Sequence, residues 1–301
     1  MFKKIILTTG IAFVFFLSNA QGLDTYVHEG EFGVSIGAGH YFGDLTTGMK
    51  IYNLKPKLAA GAYFQKQFNN YVGLKIGANY CFLGYADKYS NYINDRPKKF
   101  RNLSFNTDLW ELNISGSFNF FRFQPGFREY SFTPYVSLGI GVFSYDPYAY
   151  LNGSQYMLRP LGTEGQNDKI NYPNLNPYGT MAMCFPLAFG MKYNISDKIN
   201  IFGELSYRFT TTDYLDDVSK SFVNMDTLYA YKGRQSVDLS FRRDEIKGWE
   251  RDYPSYGYQR GDKRSYDMYW FGGIGVTLYF DSFGNLWPYG PSKCPKKNSM
   301  W

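Results

Sequence analysis

Apolar and polar residues alternate in eight segments of this chain, and residues 72–82 show the pattern clearly. Successive side chains of a β-strand point to opposite faces, and about 9–11 residues allow a tilted strand to cross a bilayer. One face of this segment carries the apolar residues Val72, Leu74, Ile76, Ala78, Tyr80 and Phe82. An apolar face toward lipid, opposite a small or polar face toward a lumen, is typical of a transmembrane barrel strand.

The other segments follow the same pattern, and all eight are predicted to be strands. They cover residues 31–42, 58–68, 72–82, 110–120, 132–143, 183–193, 199–209 and 266–280. The predicted fold class is all-β: an eight-stranded antiparallel transmembrane β-barrel over residues 31–280, with long extracellular loops. No run of eighteen apolar residues follows residue 20, so a helical membrane protein is excluded.

The connections between the predicted strands sort by length. Short turns are predicted at 69–70, 122–131 and 196–198, whereas 42–57, 84–102, 144–180 and 210–265 are predicted to be loops. Outer-membrane barrels place short turns in the periplasm and long loops outside the cell. An even number of strands then leaves both termini in the periplasm. A soluble β-sandwich also alternates and is the alternative fold, but its connections are not expected to sort by length.

Residues 1–20 have the features of an export signal. Lys3 and Lys4 precede an apolar run, and Ser18-Asn19-Ala20 forms a small-residue cleavage site. The alternative, a membrane anchor, requires a longer apolar run. The predicted organisation is a signal peptide at 1–20, an N-terminal periplasmic segment at 21–30, the barrel at 31–280 and a periplasmic C-terminal tail at 281–301. The predicted location is the bacterial outer membrane.

The composition agrees with a barrel. Aromatic residues make up 20% of the sequence, with 29 Tyr and 27 Phe, which is expected where aromatic girdles lie at two membrane interfaces. The mean hydropathy of −0.38 is too low for a bundle of membrane helices. The net charge of +6 is spread along the chain. No basic stripe or nucleic-acid motif is present, so nucleic acid is not a predicted partner.

The three cysteines do not form a recognisable framework. Cys81 and Cys184 lie in separate predicted strands, and Cys294 lies near the C-terminus. An odd, sparse set predicts neither a disulfide scaffold nor a metal site. For Cys294 two interpretations remain: an incidental thiol, or an intermolecular bridge in the oxidising periplasm.

Several charged residues fall on the inward face of the predicted strands. They are Lys75, Glu111, Lys192, Glu204 and Arg208. An eight-stranded barrel is filled by its own side chains, and a charge buried in its interior is costly unless it is paired. We therefore predict a network of salt bridges in the lumen. A proton or ion path is the alternative, although eight strands leave little room for a channel.

Two further groups of residues have a conceivable chemical role. His40, beside Tyr41 and Asp44, is a candidate base for a lipid-modifying barrel enzyme, but no Ser is placed to complete a triad. The acidic residues Asp213, Asp216 and Asp217 are candidate calcium ligands, yet they lack regular ligand spacing. An interfacial histidine and a loop held by nearby Arg are the preferred interpretations. The sequence thus predicts no catalytic site, no metal, no cofactor and no small-molecule substrate.

Particular segments also resemble a known family. They are Tyr41-Phe42-Gly43-Asp44-Leu45, Thr133-Pro134-Tyr135-Val136, Gly139-Ile140-Gly141-Val142-Phe143, Leu161-Gly162-Thr163-Glu164-Gly165 and Tyr207-Arg208-Phe209 followed by 212–218, whose sequence is TDYLDDV. Together with Lys293-Cys294-Pro295, they resemble the PorG-like outer-membrane barrels of Bacteroidota, which are associated with the type IX secretion system. The resemblance implies a barrel that associates with periplasmic ring components, with no enzymatic chemistry and no cofactor.

Two classes of function remain open at this point. The first is a structural or anchoring component of the secretion apparatus, and the second is a general surface barrel for adhesion or envelope integrity. Outer-membrane lipid is a predicted partner in both. For the first, we expect the tail to contact periplasmic proteins through aromatic residues and cations, which are common in protein interfaces. These candidates are Trp287, Tyr289, Lys293, Cys294, Lys296, Lys297 and Trp301.

Overall fold

The computed structural model describes residues 30–46, 54–89, 96–196, 198–250 and 252–280. The predicted signal peptide, most of the N-terminal segment and the C-terminal tail lie outside these residues, as does Cys294. The candidate tail contacts named above therefore have no structural account.

The described residues form ten strands, eight of which are long. They are β1 (Gly30–Phe42), β2 (Lys57–Gln67), β3 (Val72–Ala86), β4 (Ser104–Asn119), β5 (Phe132–Ser144), β6 (Tyr148–Leu151), β7 (Ser154–Met157), β8 (Met181–Ser196), β9 (Ile199–Thr210) and β10 (Met268–Phe280). Each long strand pairs antiparallel with its neighbours in the chain, with β5 followed directly by β8. The pairing of β1 with β10 and of β3 with β4 closes the sheet. The predicted eight-stranded antiparallel barrel is confirmed.

The two faces of the barrel differ as the alternation predicts. Along β4, Trp110 and Leu112 are 63% and 62% exposed, whereas Glu111 between them is 2% exposed. The outward apolar positions continue to Phe120. Ten residue steps of about 3.3 Å along a strand tilted by about 40° span about 25 Å, the height of the apolar band of an outer-membrane barrel.

In the segment 84–102, predicted to be a loop, the described residues 84–89 and 96–102 are mostly in regular secondary structure. β3 continues to Ala86 and pairs with β4 up to Ser104. A 3-10 turn (Asp87–Tyr89) follows, and the basic run forms helix α1 (Arg96–Arg101). The loop prediction was wrong because the strands project beyond the apolar band, where polar residues continue the same ladder.

The segment 144–180 is not a simple loop either. It contains the hairpin of β6 and β7 and a single helical turn, α2 (Leu158–Leu161). The hairpin turns at Asn152 and Gly153, whose φ angles are 51° and 82°. Asn-Gly is the strongest short hairpin signal because both residues tolerate this left-handed backbone. That signal was present in the sequence and contradicts the loop prediction.

The segment 210–265 contains two helices, α3 (Met225–Lys232) and α4 (Arg234–Ser240). Asn224 caps α3 by accepting the Thr227 N–H at 3.0 Å. Neither these nor the other described helices are long and apolar enough to span a membrane. Together, the described connections at this end, namely 43–46, 54–56, 87–89, 96–103, 145–180, 211–250 and 252–267, form what we call the loop cap. A small apolar core in the cap, which includes Phe222, Leu228 and Phe241, explains why this long connection is folded.

The other end of the barrel is closed by short connections. The Asn69 side chain accepts the N–H groups of Tyr71 and Val72, each at 2.8 Å, and so forms the predicted tight turn. In the connection 122–131, the Phe123 side chain is 3% exposed. Gly126 N–H also donates to Asn194 Oδ1 at 3.3 Å. This connection therefore folds under the barrel and forms its floor.

Candidate functional site in the lumen and the loop cap

The predicted inward charges meet across the lumen in pairs. Lys75 on β3 donates to Glu204 on β9 at 2.6 Å. Glu204 also accepts the Tyr135 hydroxyl at 2.8 Å. These residues come from three different strands, and the pair links positions 129 residues apart in sequence. A buried carboxylate with several donors in this geometry is compensated rather than reactive.

A second pair lies closer to the loop cap. Arg208 Nε donates to Glu111 Oε2 at 2.9 Å, and the Tyr269 hydroxyl donates to the same oxygen at 2.6 Å. The other oxygen, Oε1, accepts Asn79 Nδ2 at 2.9 Å and Asn113 Nδ2 at 2.5 Å. Both carboxylate oxygens of Glu111 are thus occupied by donors from three other strands and from β4 itself.

A third pair includes a residue that sequence reasoning missed. Lys192 on β8 forms an ion pair with Glu31 at the start of β1. Glu31 also accepts the Tyr63 hydroxyl at 3.2 Å. The signal for Glu31 was available, because it precedes the outward Phe32 and so has inward parity. The predicted strand began there, which left the residue outside the predicted network.

The lumen residues that the structure describes leave little free volume. A cavity of about 20 Å³ lies between the first two ion pairs, which is room for about one water molecule. Cys81 and Cys184 are buried in the lumen as free thiols. With Phe123 below, the described part of the lumen contains packed side chains where a channel would need water.

In the loop cap, the TDYLDDV segment is tied to the rim of the barrel. The Tyr41 hydroxyl donates to Asp216 Oδ2 and, at 3.2 Å, to Asp267 Oδ1. Asp267 Oδ2 accepts the Leu215 N–H at 2.8 Å, and Asp216 Oδ1 accepts the Val218 N–H at 2.9 Å. One tyrosine hydroxyl therefore joins two carboxyl groups that would otherwise repel each other.

Asp217 is the second attachment point of this segment. Its φ of 67° is a left-handed conformation that Asp tolerates better than most residues. Its carboxylate accepts the hydroxyls of Thr163 and, at 2.7 Å, Tyr178. Arg260 donates to the Asp217 carbonyl at 2.6 Å and to Glu164 at 3.0 Å. The acidic motif is thus held by an arginine from a distant part of the cap.

Burial changes the ionisation of this acidic group. It raises the pKa of Asp213 to about 7, and the negative charges of Asp44 and Glu164 add to the effect. Burial likewise raises the pKa of Asp217 to about 6, although Arg260 opposes it. The pKa values of Asp216 and Asp267 lie well above the ordinary range, again because of burial and of neighbouring negative charge. Part of this group therefore holds protons near neutral pH.

The calcium alternative finds no geometric support in the described residues. No group of three or more His, Cys, Asp or Glu side chains among them is arranged to hold a metal ion. Asp216 and Asp217, two of the three candidate ligands, direct their oxygens at N–H and O–H donors of the protein. These hydrogen bonds attach the TDYLDDV segment to the rest of the protein.

His40, the candidate base, is packed among aromatic rings. It is 1% exposed, and its ring lies 5.0 Å from Phe42, 5.8 Å from Tyr85 and 6.4 Å from Trp270 between centroids. Nδ1 accepts the Lys55 N–H at 3.3 Å. Tyr41 and Asp44, its predicted neighbours, belong to the acidic group instead. The structure does not bring the components of a triad together around this imidazole.

A cleft of about 1100 Å³ opens in the loop cap between the end of β1, α1 and residues 252–268. Tyr258 and Tyr266 at its wall are 56% and 61% exposed. Arg243 lies over the rings of Phe100 and Trp249, 5.3 and 4.7 Å from their centroids. A concave surface that has exposed aromatic rings and an arginine packed against two rings is suited to binding a ligand or a partner. Sequence reasoning missed this cleft because its walls are far apart in the chain.

Comparisons with known proteins identify the family of the chain. The family described as Domain of unknown function (DUF6089) matches residues 8–233. Neisserial surface protein A aligns at 7% identity over 84% of this chain and 97% of its own, with a TM-score of 0.40. Ail of Yersinia pestis aligns at 9% identity over 83% and 97%, with a TM-score of 0.35. OprG of Pseudomonas aeruginosa aligns at 9% identity over 85% and 99%, with a TM-score of 0.34.

No curated protein matches the chain. The closed eight-stranded barrel with its apolar outer band is nonetheless sufficient to define the location. The protein resides in the bacterial outer membrane.

Proposed function

We propose that this chain, which belongs to the DUF6089 family, is a non-enzymatic structural barrel that anchors other proteins at the outer membrane. The observation that carries the proposal is the filled lumen, in which Lys75, Lys192 and Arg208 are paired with glutamates. A barrel whose lumen is filled by its own side chains is expected to act through its two ends. With the long loops outside, the short connections face the periplasm.

We further propose that the anchored assembly is the periplasmic ring of the type IX secretion system. The support is the resemblance of the sequence, above all Tyr207-Arg208-Phe209 and the TDYLDDV segment, to PorG-like barrels. In this chain the TDYLDDV segment is buried in the loop cap, at the end opposite the periplasm. We propose that this segment holds the barrel and the cap together. Other residues then contact the periplasmic ring.

The described periplasmic connection 120–131 has the properties of a contact surface. Phe121 and Phe127 are 54% and 55% exposed, beside the exposed charges of Arg128 and Glu129. Aromatic side chains beside arginine are enriched in protein interfaces. In the proposal, this connection cooperates with the tail at 281–301.

A strain that lacks the protein tests the secretion role directly. We expect secreted cargo to accumulate in the periplasm, and the wild-type gene to restore secretion. Normal secretion in the deletion strain would contradict the secretion role while leaving the structural barrel intact.

Affinity purification from detergent-solubilised membranes then locates the contact. We expect Phe127→Ala combined with deletion of 282–301 to reduce co-purification of periplasmic ring proteins. Tyr229→Ala is the matched control, because Tyr229 is 58% exposed in the loop cap. Equal recovery of ring proteins with both variants would place the contact elsewhere.

The cleft favours a second candidate function, which is surface binding or adhesion. Exposed tyrosines supply large, rigid contact area at low entropic cost, and Arg243 is held in place by two rings. Tyr258→Ala and Tyr266→Ala should then reduce attachment of cells to a host or bacterial surface without changing secretion. If these variants attach normally, the adhesion role is contradicted. If secretion also depends on the protein, anchoring is then the function that remains.

A further inference from the structure

Three lysines lie together at the long-loop end of β2 and β3, on the outer side of the barrel. The ammonium groups of Lys55 and Lys88 lie 4.9 and 5.4 Å from the centroid of the Tyr89 ring. Lys57 lies 5.3 Å from the centroid of the Phe82 ring. Since Lys55 and Lys88 share one ring, their nitrogens lie at most about 10 Å apart, a distance that a headgroup with two phosphates can span.

Two contacts place Lys55 and Lys57 outside the lumen, and Lys88 shares the Tyr89 ring with Lys55. Phe82 occupies an outward position of β3, so the ammonium group of Lys57 lies on the outer surface. His40 occupies an outward position of β1, and its ring accepts the Lys55 N–H. The chain at Lys55 therefore runs along the outside of the barrel rim.

The lysines have no carboxylate partner among the described residues, for which no ion pair of Lys55, Lys57 or Lys88 is present. Two acids near this end of β3 and β4 have other partners. Asp87 is buried and bound to Arg101 at 2.7 Å, and Asp108 accepts the Tyr80 hydroxyl at 2.5 Å. Among the described residues, the three ammonium groups thus form a positive patch without a neutralising carboxylate.

The height of the patch relative to the membrane is defined by its neighbours. Leu58, next to Lys57, is 58% exposed and lies in the apolar band. Tyr80 and Trp110 pack with ring centroids 4.8 Å apart, at the level where aromatic residues mark a membrane interface. The lysines follow directly above, in the layer that contains lipid headgroups.

We propose that Lys55, Lys57 and Lys88 form a binding site for the phosphate groups of an anionic glycolipid in the outer leaflet. Ammonium groups bind phosphate as compact point charges, and basic clusters beside a membrane span recognise anionic headgroups. The rings of Tyr89 and Phe82 hold the lysine side chains near the phosphates, while Leu58 contacts the acyl chains. The site rests on the outer-membrane location and is independent of the anchoring role.

Binding to the purified full-length barrel in detergent tests the proposal, with diphosphorylated lipid A as the probe. Substitution of all three lysines by Ala should weaken binding by at least about tenfold, since each cation near an anionic headgroup contributes to binding. Ala substitution of Lys169, Lys247 and Lys263, which are exposed elsewhere in the cap, is the control. Heat-modifiable migration checks folding, and a triple Gln variant replaces the Ala variant if the latter does not fold.

Three outcomes would decide against the site. An equal loss in the control variant would mean that overall charge drives binding. Equal affinity for dephosphorylated lipid A would mean that the acyl chains alone are recognised. Competition by inorganic phosphate at the same concentration as the lipid would identify a site for free phosphate in place of a lipid site. Tenfold weaker binding confined to the triple variant and to the phosphorylated lipid would establish the proposal.

Discussion

The lumen and the loop cap are both polar interiors, but they balance charge differently. In the lumen, Glu31, Glu111 and Glu204 each have one basic partner. In the cap, the acids around the TDYLDDV segment outnumber the two buried arginines near them. These acids are Asp44, Asp87, Glu164, Asp213, Asp216, Asp217 and Asp267, and the arginines are Arg101 and Arg260.

The difference follows from the surroundings. The lumen is enclosed by sheet and lipid, where an unpaired charge cannot be hydrated and is very costly. The cap borders water, and its excess carboxyl groups avoid repulsion by holding protons, as the raised pKa values of Asp213 and Asp217 indicate. In the lumen the carboxylates are balanced by cations, whereas in the cap the excess carboxyl groups are balanced by protons. Stability is therefore expected to depend on pH near neutrality in the cap.

The largest effect is expected from breaking a lumen pair. Arg208→Ala leaves Glu111 buried without its cation and should destabilise the barrel by roughly 3–5 kcal/mol. Urea unfolding in detergent, followed by tryptophan fluorescence, measures the change. Lys66→Ala is the control, since Lys66 is exposed on the outer surface. An unchanged unfolding midpoint for Arg208→Ala would mean that water reaches this pair and that the lumen resembles the cap.

A smaller and local effect is expected in the cap. Arg260→Ala removes the donor shared by Glu164 and Asp217 and should destabilise the cap by about 1–3 kcal/mol without unfolding the barrel. Limited proteolysis should then cleave between residues 244 and 250, while the cleaved barrel still migrates as a folded protein. Arg260→Lys should be intermediate because it retains the charge but not the two-donor geometry. Loss of heat-modifiable migration would show that cap and barrel fold as one unit.

The pH dependence should be weaker still and confined to the cap. The pKa of Asp213 is about 7 and that of Asp44 about 6 in the folded protein, against about 4 in an unfolded chain. Their stabilising contribution is therefore complete below about pH 4 and is lost as pH rises through 6 to 7. Hydrogen exchange at Leu215 and Val218, corrected for intrinsic rates, should show more opening at pH 8 than at pH 5. Asp213→Asn should make cap stability depend less on pH. A cap that is more stable at pH 8 than at pH 5 would contradict the prediction.

The smallest effect is expected in conductance. Wild-type protein and Arg260→Ala, reconstituted in planar bilayers, should both leave the membrane electrically closed, because the seal lies in the lumen and at Phe123. Steady channels that open only in Arg260→Ala would mean that the cap is the gate, which would remove the main support for an anchoring role.

Much of the barrel was predictable because strand parity is a local property. The alternation placed Lys75, Glu111, Lys192, Glu204 and Arg208 on inward positions, and the structure has all five inside. Which of them meet was not predictable. Lys75 reaches Glu204 across the lumen because the sheet closes into a barrel. The stagger of its hydrogen-bond register sets which residues face each other.

The cap was less predictable because its elements depend on distant contacts. The Asn152-Gly153 turn was a local signal and could have been identified. The short helices α1, α3 and α4 are marginal by themselves and are held by partners such as Asp87, which binds Arg101 at the end of α1. The cleft is formed from such separate segments and has no counterpart in any single stretch of sequence.

The sequence by itself determined the eight long strands, their two faces and the end that carries the long connections, because period and turn chemistry act over a few residues. Only the tertiary structure decided the ion-pair partners, the inclusion of Glu31, the attachment of the TDYLDDV segment through Tyr41 and Arg260, and the cleft. Each of these joins residues far apart in the chain, and their distances are set by barrel closure and by packing of the cap. A periodic pattern carries no information about either.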